Sequence, residues 1–516
     1  MVITISPWQS YLQRSAASAL SVIAVSLILP HRASAADWTF VPTLRLRESY
    51  SDNIELASPA LATSDLVSEI TPGINVTANS SHLKLNMSYS LQQLIYQHEP
   101  DALNHQLQGN AKAELLDDWL FVDASASISK QNVSAFGPQL IDNTQITSNQ
   151  NTVDAFQISP YLTHFMRGFA TAELRYTHDN VSSSNILSTK TDEVRFKLVG
   201  DNGGQGWNWD ALYDSSKVDD SATAPVTMKS ESFTLRDPLT GSVGLFGTIG
   251  YENEDYQASN GQAPKGQFWS LGASWNPSVR TSVVASAGKR YFGNTASFDA
   301  SYRGHNTVWR VSYNEDITTS YAQFLTLSPG DTSALLNQLW LISIPDPAAR
   351  QQAVNSFIGM AQLLGPNAGI TNYISHEFFL QKQLNLSMAS SGPRSTLVLN
   401  LARIDRTDLT STNVDIPLLG TSQLALQDHT RQSGIDAAWS WRLSSRSNLN
   451  LDASDNRVSS LSTGRTDNNL MLSAGFSRQL RQNVSATIDV HHVRHTSNDG
   501  GNYRENGISA ALNFRL

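Results

Sequence analysis

The stretch GISAALNFRL, Gly507 to Leu516, decides the fold. Ile508, Ala510, Leu512, Phe514 and Leu516 are apolar, and Ser509, Ala511, Asn513 and Arg515 stand between them. A period of two is the signature of a β-strand with one apolar and one polar face. In an open sandwich a final strand this regular is an edge that needs protection by charge, proline or a cover. In a closed barrel it pairs with the first strand and the edge disappears. The expectation is therefore an all-β, transmembrane antiparallel barrel.

Working outward, the same alternation recurs along the chain. Leu83, Leu85, Met87, Tyr89 and Leu91 oppose Lys84, Asn86, Ser88, Ser90 and Gln92, and Ala170, Ala172, Leu174 and Tyr176 oppose Thr171, Glu173, Arg175 and Thr177. Segments of this kind run from Trp38–Tyr50 through Thr371–Met388 to the last strand. They number about 22, within a range of roughly 18 to 24, and single-chain bacterial barrels require an even count. Connections alternate between short ones, such as Asp117-Asp118 and Arg481-Gln482, and longer polar ones. Aromatic residues sort with them. Trp119, Phe165, Trp207, Trp275, Trp309 and Trp441 lie beside short turns, whereas Tyr50, Tyr96, Tyr176, Tyr213, Tyr251, Tyr291 and Tyr313 lie towards the long loops. Two interfacial girdles read this way along a chain.

Residues 1–35 read as a secretory signal peptide: Arg14, an apolar run from Ala16 to Leu29, then Ala33-Ser34-Ala35 as the cleavage site. That run is about 14 residues, short of the roughly 20 that span a bilayer as a helix. The barrel domain is then 36–516, starting so soon that no plug or periplasmic module precedes it. The chain has no cysteine, which excludes a disulfide frame and thiolate metal sites. Its net charge of −9 is spread along the chain and argues against nucleic acid as a partner.

One long interruption, 318–370, carries helical signals. Asp331 reads as the cap of a helix presenting Leu335, Leu336 and Leu339. Asp346 caps a second, with Pro347 at its first position and Val354, Phe357, Ile358, Ala361 and Leu364 at i, i+3, i+4 spacing before Gly365-Pro366. This helical insertion is expected outside the cell or in the lumen, and Asp346, Pro347, Val354, Phe357, Ile358 and Ala361 are its gating candidates.

Several motifs carry a resemblance. They are Trp38-Thr-Phe-Val-Pro42, Glu48-Ser-Tyr-Ser-Asp-Asn53, Ser64-Asp65, Glu69-Ile-Thr-Pro-Gly73, Pro345-Asp-Pro-Ala-Ala-Arg350 with Ala353-Val354 and Phe357, and Gly392-Pro-Arg394. Together they resemble the outer-membrane β-barrel proteins of exosortase/PEP-CTERM systems and their exopolysaccharide loci. The resemblance implies the outer membrane of a Gram-negative bacterium and a role in exopolysaccharide synthesis or export. It also implies exopolysaccharide and export-complex proteins as partners, beside the lipid bilayer and the barrel-assembly machinery.

The polar faces hold Lys84, Asp123, Glu173, Arg175, Glu193, Arg195, Lys197, Asp210, Asp299, Arg303, Arg310, Asp436, Arg442, Asp452 and Asp489. Of these, Glu173, Arg175, Glu193, Arg195, Lys197, Asp210, Arg303, Arg310, Asp436 and Arg442 are the candidates for a functional lumen. Both signs occur, often two residues apart, so the wall is not the single-sign ring of a pore tuned to one ion charge. His491 and His492 point to opposite faces of a strand and cannot share a metal. The Asp/Asn-rich tips lack the spaced carboxylates of a calcium site. Scattered Ser, His and Asp form no nucleophile elbow. A non-enzymatic barrel without cofactor follows: a porin-like conduit or accessory in exopolysaccharide export. The alternatives are a barrel that modifies or anchors surface polysaccharide, or a general diffusion porin.

Overall fold

The computed structural model describes residues 36–139, 142–184, 187–200, 206–256, 258, 264–325, 336–341, 350, 354, 372–410 and 424–516. The expected signal peptide lies outside them. The first half of the wall is β1 (Asp37–Ser51), β2 (Asp65–Asn79), β3 (Leu83–Tyr96), β4 (Ala102–Leu116), β5 (Leu120–Asn132), β6 (Gln150–Met166), β7 (Ala170–Ser183), β8 (Leu187–Gly200), β9 (Asn208–Asp220), β10 (Val226–Asp237) and β11 (Val243–Glu254). The second half is β12 (Lys265–Ser278), β13 (Thr281–Arg290), β14 (Gly293–Arg303), β15 (Thr307–Thr319), β16 (Phe378–Ser391), β17 (Ser395–Asp408), β18 (His429–Ser444), β19 (Ser447–Ser460), β20 (Thr466–Arg481), β21 (Val484–Ser497) and β22 (Tyr503–Arg515). All 22 strands form one sheet, each antiparallel to its chain neighbour. The terminal stretch seals it: β22 pairs with β1 from Thr43 opposite Arg515 to Ser51 opposite Gly507. Closure leaves no strand edge, so the ladder runs round the whole ring.

The register fixes two faces. Leu46 stands opposite Leu512 and Tyr50 opposite Ile508, and all four are exposed, whereas Ser509 and Ala511 between them are buried. Followed round the barrel, the outer parity carries exposed Ile70, Leu174, Phe196, Phe233, Ile249, Leu271, Leu401, Ile435, Leu451 and Leu472. An apolar exterior on this scale belongs in lipid. Trp119, Phe165, Trp207, Trp275, Trp309 and Trp441 are exposed beside the short turns, and Tyr50, Tyr176, Tyr213 and Tyr251 towards the other rim.

Two tyrosines expected in that belt leave it. Tyr96 is buried on the inner parity of β3 and donates its hydroxyl to the Thr144 carbonyl at 2.8 Å. Tyr291 lies beyond the end of β13, where its hydroxyl donates to Glu254 at 2.6 Å and lies 2.8 Å from that of Tyr256. In both cases a polar partner inside the mouth captures the phenol that sequence position alone assigns to the interface.

The strand expected from Thr371 also starts late, at Phe378. Tyr373 and Ile374 are adjacent, so in a wall strand they would face opposite sides, yet neither is exposed at all. The segment 372–377 instead runs within the barrel, where Tyr373 bridges to Asn132.

Among the described residues the expected long helical insertion is represented by α1 (Ser320–Leu325), a helical turn at 336–339, and Arg350 and Val354, both helical within the second expected helix. Thr318 and Thr319 still belong to the wall, and the Thr319 hydroxyl accepts the Ala322 N–H at the start of α1. Of the gating candidates, Val354 is buried; Asp346, Pro347, Phe357, Ile358 and Ala361 lie outside the described residues.

Candidate conduit in the barrel lumen

Twenty-two strands spaced by about 4.8 Å and tilted by about 40° make a wall roughly 44 Å across. Side chains alone do not fill so wide a lumen, so the connections that enter it decide its bore.

They enter unevenly. The β5–β6 connection crosses to β1, β3, β20 and β22. Arg47 Nη2 donates to Asp142 at 2.9 Å, the Gly137 N–H to Asp467 at 2.9 Å, and the Gln139 N–H to the Tyr503 hydroxyl at 3.3 Å. Ile146 N–H reaches the Ile54 carbonyl at 3.0 Å. Burial raises the Asp142 carboxyl, but the Arg47 guanidinium and hydrogen bonds from Thr144 outweigh it and hold the group at about 2. The segment 372–377 is latched by His376 to Asp220 at 2.8 Å, and α2 (Leu424–Gln427) by Gln427 to Ser134 at 3.4 Å. Phe136, Tyr373, Phe379, Leu426 and Val458 pack together where these pieces meet.

The described part of the β15–β16 insertion also lies inside. Tyr321 and Phe324 of α1 pack on Val153, Val181 and Val218 across the mouth. Leu336, Leu339, Trp340 and Val354 pack instead on Val308, Ala389 and Val398. Val308 is the second residue of β15 after a short turn, so the insertion reaches the opposite end of the lumen. The sequence reading left open whether this segment lies in the lumen or over its mouth; its described residues are in the lumen.

Towards the long-loop mouth the wall is buried on β7–β11, at Asp179, Asp220 and Glu252, as well as on β17–β22 and β1–β3. Glu505 on β22 is fully buried, accepting hydrogen bonds from Ser51 and His491 at 2.7 Å each. Thr430, Gln432, Asp467 and His495 are as deeply buried. Nearer the short turns on β5–β10 and β14–β15 the charges face solvent. Arg175 bridges Asp123 (3.1 Å) and Glu173 (2.9 Å) above the Tyr161 ring, and Arg195 bridges Glu193 and Asp214 at 2.8 Å each. Arg236 pairs with Asp210, and Arg310 with Asp299 at 3.1 Å. The side chains of Arg195 and Arg236 are 44 % and 51 % exposed.

The structure thus brings Glu173, Arg175, Glu193, Arg195 and Asp210 into one ladder on β7–β10, with Lys197 opposite Glu173. Arg310 lies farther round on β15. Asp436 is apart, buried on β18 opposite Ser454. Arg303 ends β14, and Arg442 is exposed near the end of β18, donating to the Pro393 carbonyl at 2.8 Å, so both sit at the short-turn rim. At the same rim His82 lies 3.2 Å from Glu114 and 3.7 Å from Asp117. Sequence reasoning missed the β5–β6 connection and Arg45, Arg47, Glu69 and Glu505. The available signal was Phe136 and Ile146, apolar residues in a polar loop.

No protein-family model matches the sequence, and no curated protein is detectably similar to it. Among solved structures, the siderophore receptor PirA from Pseudomonas aeruginosa aligns over 92 % of this chain and 80 % of its own, at 11 % identity and a TM-score of 0.44. The FrpB iron transporter from Neisseria meningitidis, in its apoprotein form, aligns over 92 % and 81 %, at 9 % identity and 0.48. OpdK from Pseudomonas aeruginosa, solved with vanillate, aligns over 92 % and 99 %, at 6 % identity and 0.35. The chain's own geometry defines its class. A closed, even-stranded antiparallel wall with an apolar exterior, aromatic rims and a polar interior is the form in which single chains cross the bacterial outer membrane, and this chain is such a barrel.

Proposed function

We propose that the barrel is a porin-like conduit or export accessory for a polar, weakly charged substrate, with exopolysaccharide as that substrate on the resemblance of its motifs. The observation that carries the reading is the uneven lumen: inserted pieces pack on the wall at the long-loop mouth and along β17–β22 with β1–β3, while the ion pairs of β7–β10 and β14–β15 nearer the short turns stay wet. Opposite charges neutralise one another along that open side, which suits passage of a hydrated neutral chain better than selection of one ion sign. On this reading the barrel's role is transport.

Single-channel recording in planar bilayers tests the conduit, and gene deletion tests its cargo. The expected results are a stable conductance, and loss of secreted polymer with intracellular polymer retained. An electrically silent barrel sinks the conduit reading. Normal secretion in the deletion strain sinks the assignment to export. A sealed barrel that anchors surface polysaccharide is the second reading, favoured by the apolar clusters packed across the mouth.

A further inference from the structure

On the open side, β11 and β12 carry two phenylalanines on the inner parity, Phe246 and Phe268. Their outward-facing neighbours Leu245, Ile249, Trp269 and Leu271 are exposed on the barrel exterior, which fixes the facing. Each ring lies on a glycine of the adjacent strand. Phe246 is paired with Gly272 and Phe268 with Gly250, and a Cβ on either glycine would overlap the ring opposite. Only glycine lets a ring lie this close to the neighbouring backbone. Both rings are half-buried, so each keeps exposed surface inside a hydrated lumen. Apolar surface held in that position is unfavourable unless something covers it.

The wall around them is neutral and hydroxyl-rich. Thr248 is paired with Ser270 between the two rings, and the Ser286 and Ser297 hydroxyls meet at 2.7 Å on the next strands. Charged residues bound the strip at both ends: Arg236 with Asp210 and Arg310 with Asp299 (3.1 Å) near the short turns, and Arg290 with Glu252 (2.8 Å) and Asp316 (2.9 Å) towards the long loops. The rings stand four residues apart in register, about 13 Å along the strand.

We infer that the inner wall of β11–β14 is a binding track for a neutral glycan chain, with Phe246 and Phe268 as stacking platforms. A pyranose presents an apolar C–H face and an equatorial rim of hydroxyls. The C–H face covers a flat ring, and the rim exchanges hydrogen bonds with Ser and Thr hydroxyls, which both donate and accept. An anionic polymer gains little there, because Arg236 beside Phe246 and Arg290 on β13 are already bound to carboxylates. This inference rests on the conduit reading for its role in transport, but binding is measured independently.

The test is saturation-transfer NMR on the full barrel in detergent, with maltohexaose and cellohexaose as neutral probes and hexagalacturonate as the charged comparator. Wild type is expected to bind at least one neutral probe and to prefer it over the charged one. Phe246→Ala and Phe268→Ala each weaken binding roughly threefold to tenfold, and Phe246→Tyr retains it. Gly272→Val lifts the Phe246 ring without removing it and weakens binding like F246A. Heat-modifiable migration on gels verifies folding of each variant. No neutral binding by wild type, or equal binding by F246A/F268A, overturns the track. Conductance measured in parallel separates the two readings: a conducting barrel without sugar binding loses the track alone, and a silent barrel whose sugar binding needs the rings loses the conduit alone.

Discussion

The inner wall of β17–β22 with β1–β3 and the short-turn half of the inner wall of β7–β14 are built from the same alternating pattern, yet their surroundings differ. On the first, Glu505, Asp467 and Glu69 are buried under the β5–β6 connection and its neighbours. On the second, Arg195, Arg236 and Asp299 stand in water. A buried pair in low dielectric is sensitive to loss of either partner, because the survivor keeps its desolvation penalty. A hydrated pair is not, because water replaces the partner. The contrast teaches that in a wide barrel, polarity of the wall does not distinguish passage from packing; the loops do.

The largest effect should come from erasing the difference. Replacing residues 136–146 with a short Gly-Ser turn removes the contacts to Asp467, Tyr503 and Ile54, and single-channel conductance is expected to rise several-fold. An unchanged conductance would mean that this connection does not limit the bore. Next, Glu505→Ala leaves Ser51 and His491 without their buried acceptor and should destabilise the barrel by about 3 kcal/mol in urea unfolding. Arg47→Ala, which strips Asp142 and Glu69 of a cation, belongs in the same class. It should also raise conductance noise as the loop detaches.

The Asp142 carboxyl supplies a pH test. Its value of about 2 lies below the ordinary carboxylate value near 4, so its contribution to loop closure is complete above pH 4 and is lost as pH falls through about 2. Conductance should therefore stay flat from neutral pH to about 4 and rise only below it. An opening centred near pH 6 would show that Asp142 is not the latch. The smallest stability effect belongs to the open side. Arg236→Ala should change unfolding by less than about 1 kcal/mol while shifting ion selectivity towards cations, read from reversal potentials. A loss as large as that of Glu505→Ala would show that the two walls are not different in kind.

Much of the barrel is legible along the chain because its forces are local and repetitive. Each strand must present apolar atoms to lipid and polar atoms to water, so a period of two survives in nearly every segment, down to Ile508, Leu512 and Phe514. The strand count and the tryptophan rim follow from that one constraint. Tyr96, Tyr291 and the segment 372–377 defeat it, because at the mouth a residue's surroundings come from loops distant in sequence.

The candidate lumen divides the same way. Which face Glu173, Arg175 and Arg195 take follows from parity, a property of neighbouring residues. Whether a charge there is wet or entombed depends on contacts such as Arg47 with Asp142, 95 residues apart, and Ser51 with Glu505, 454 apart. Alternation along the chain was enough to specify a wall with an oily and a watery side. Only the closed three-dimensional ring, by bringing remote loops onto parts of that wall and leaving Phe246 and Phe268 half-buried elsewhere, decided which of its residues stay in water.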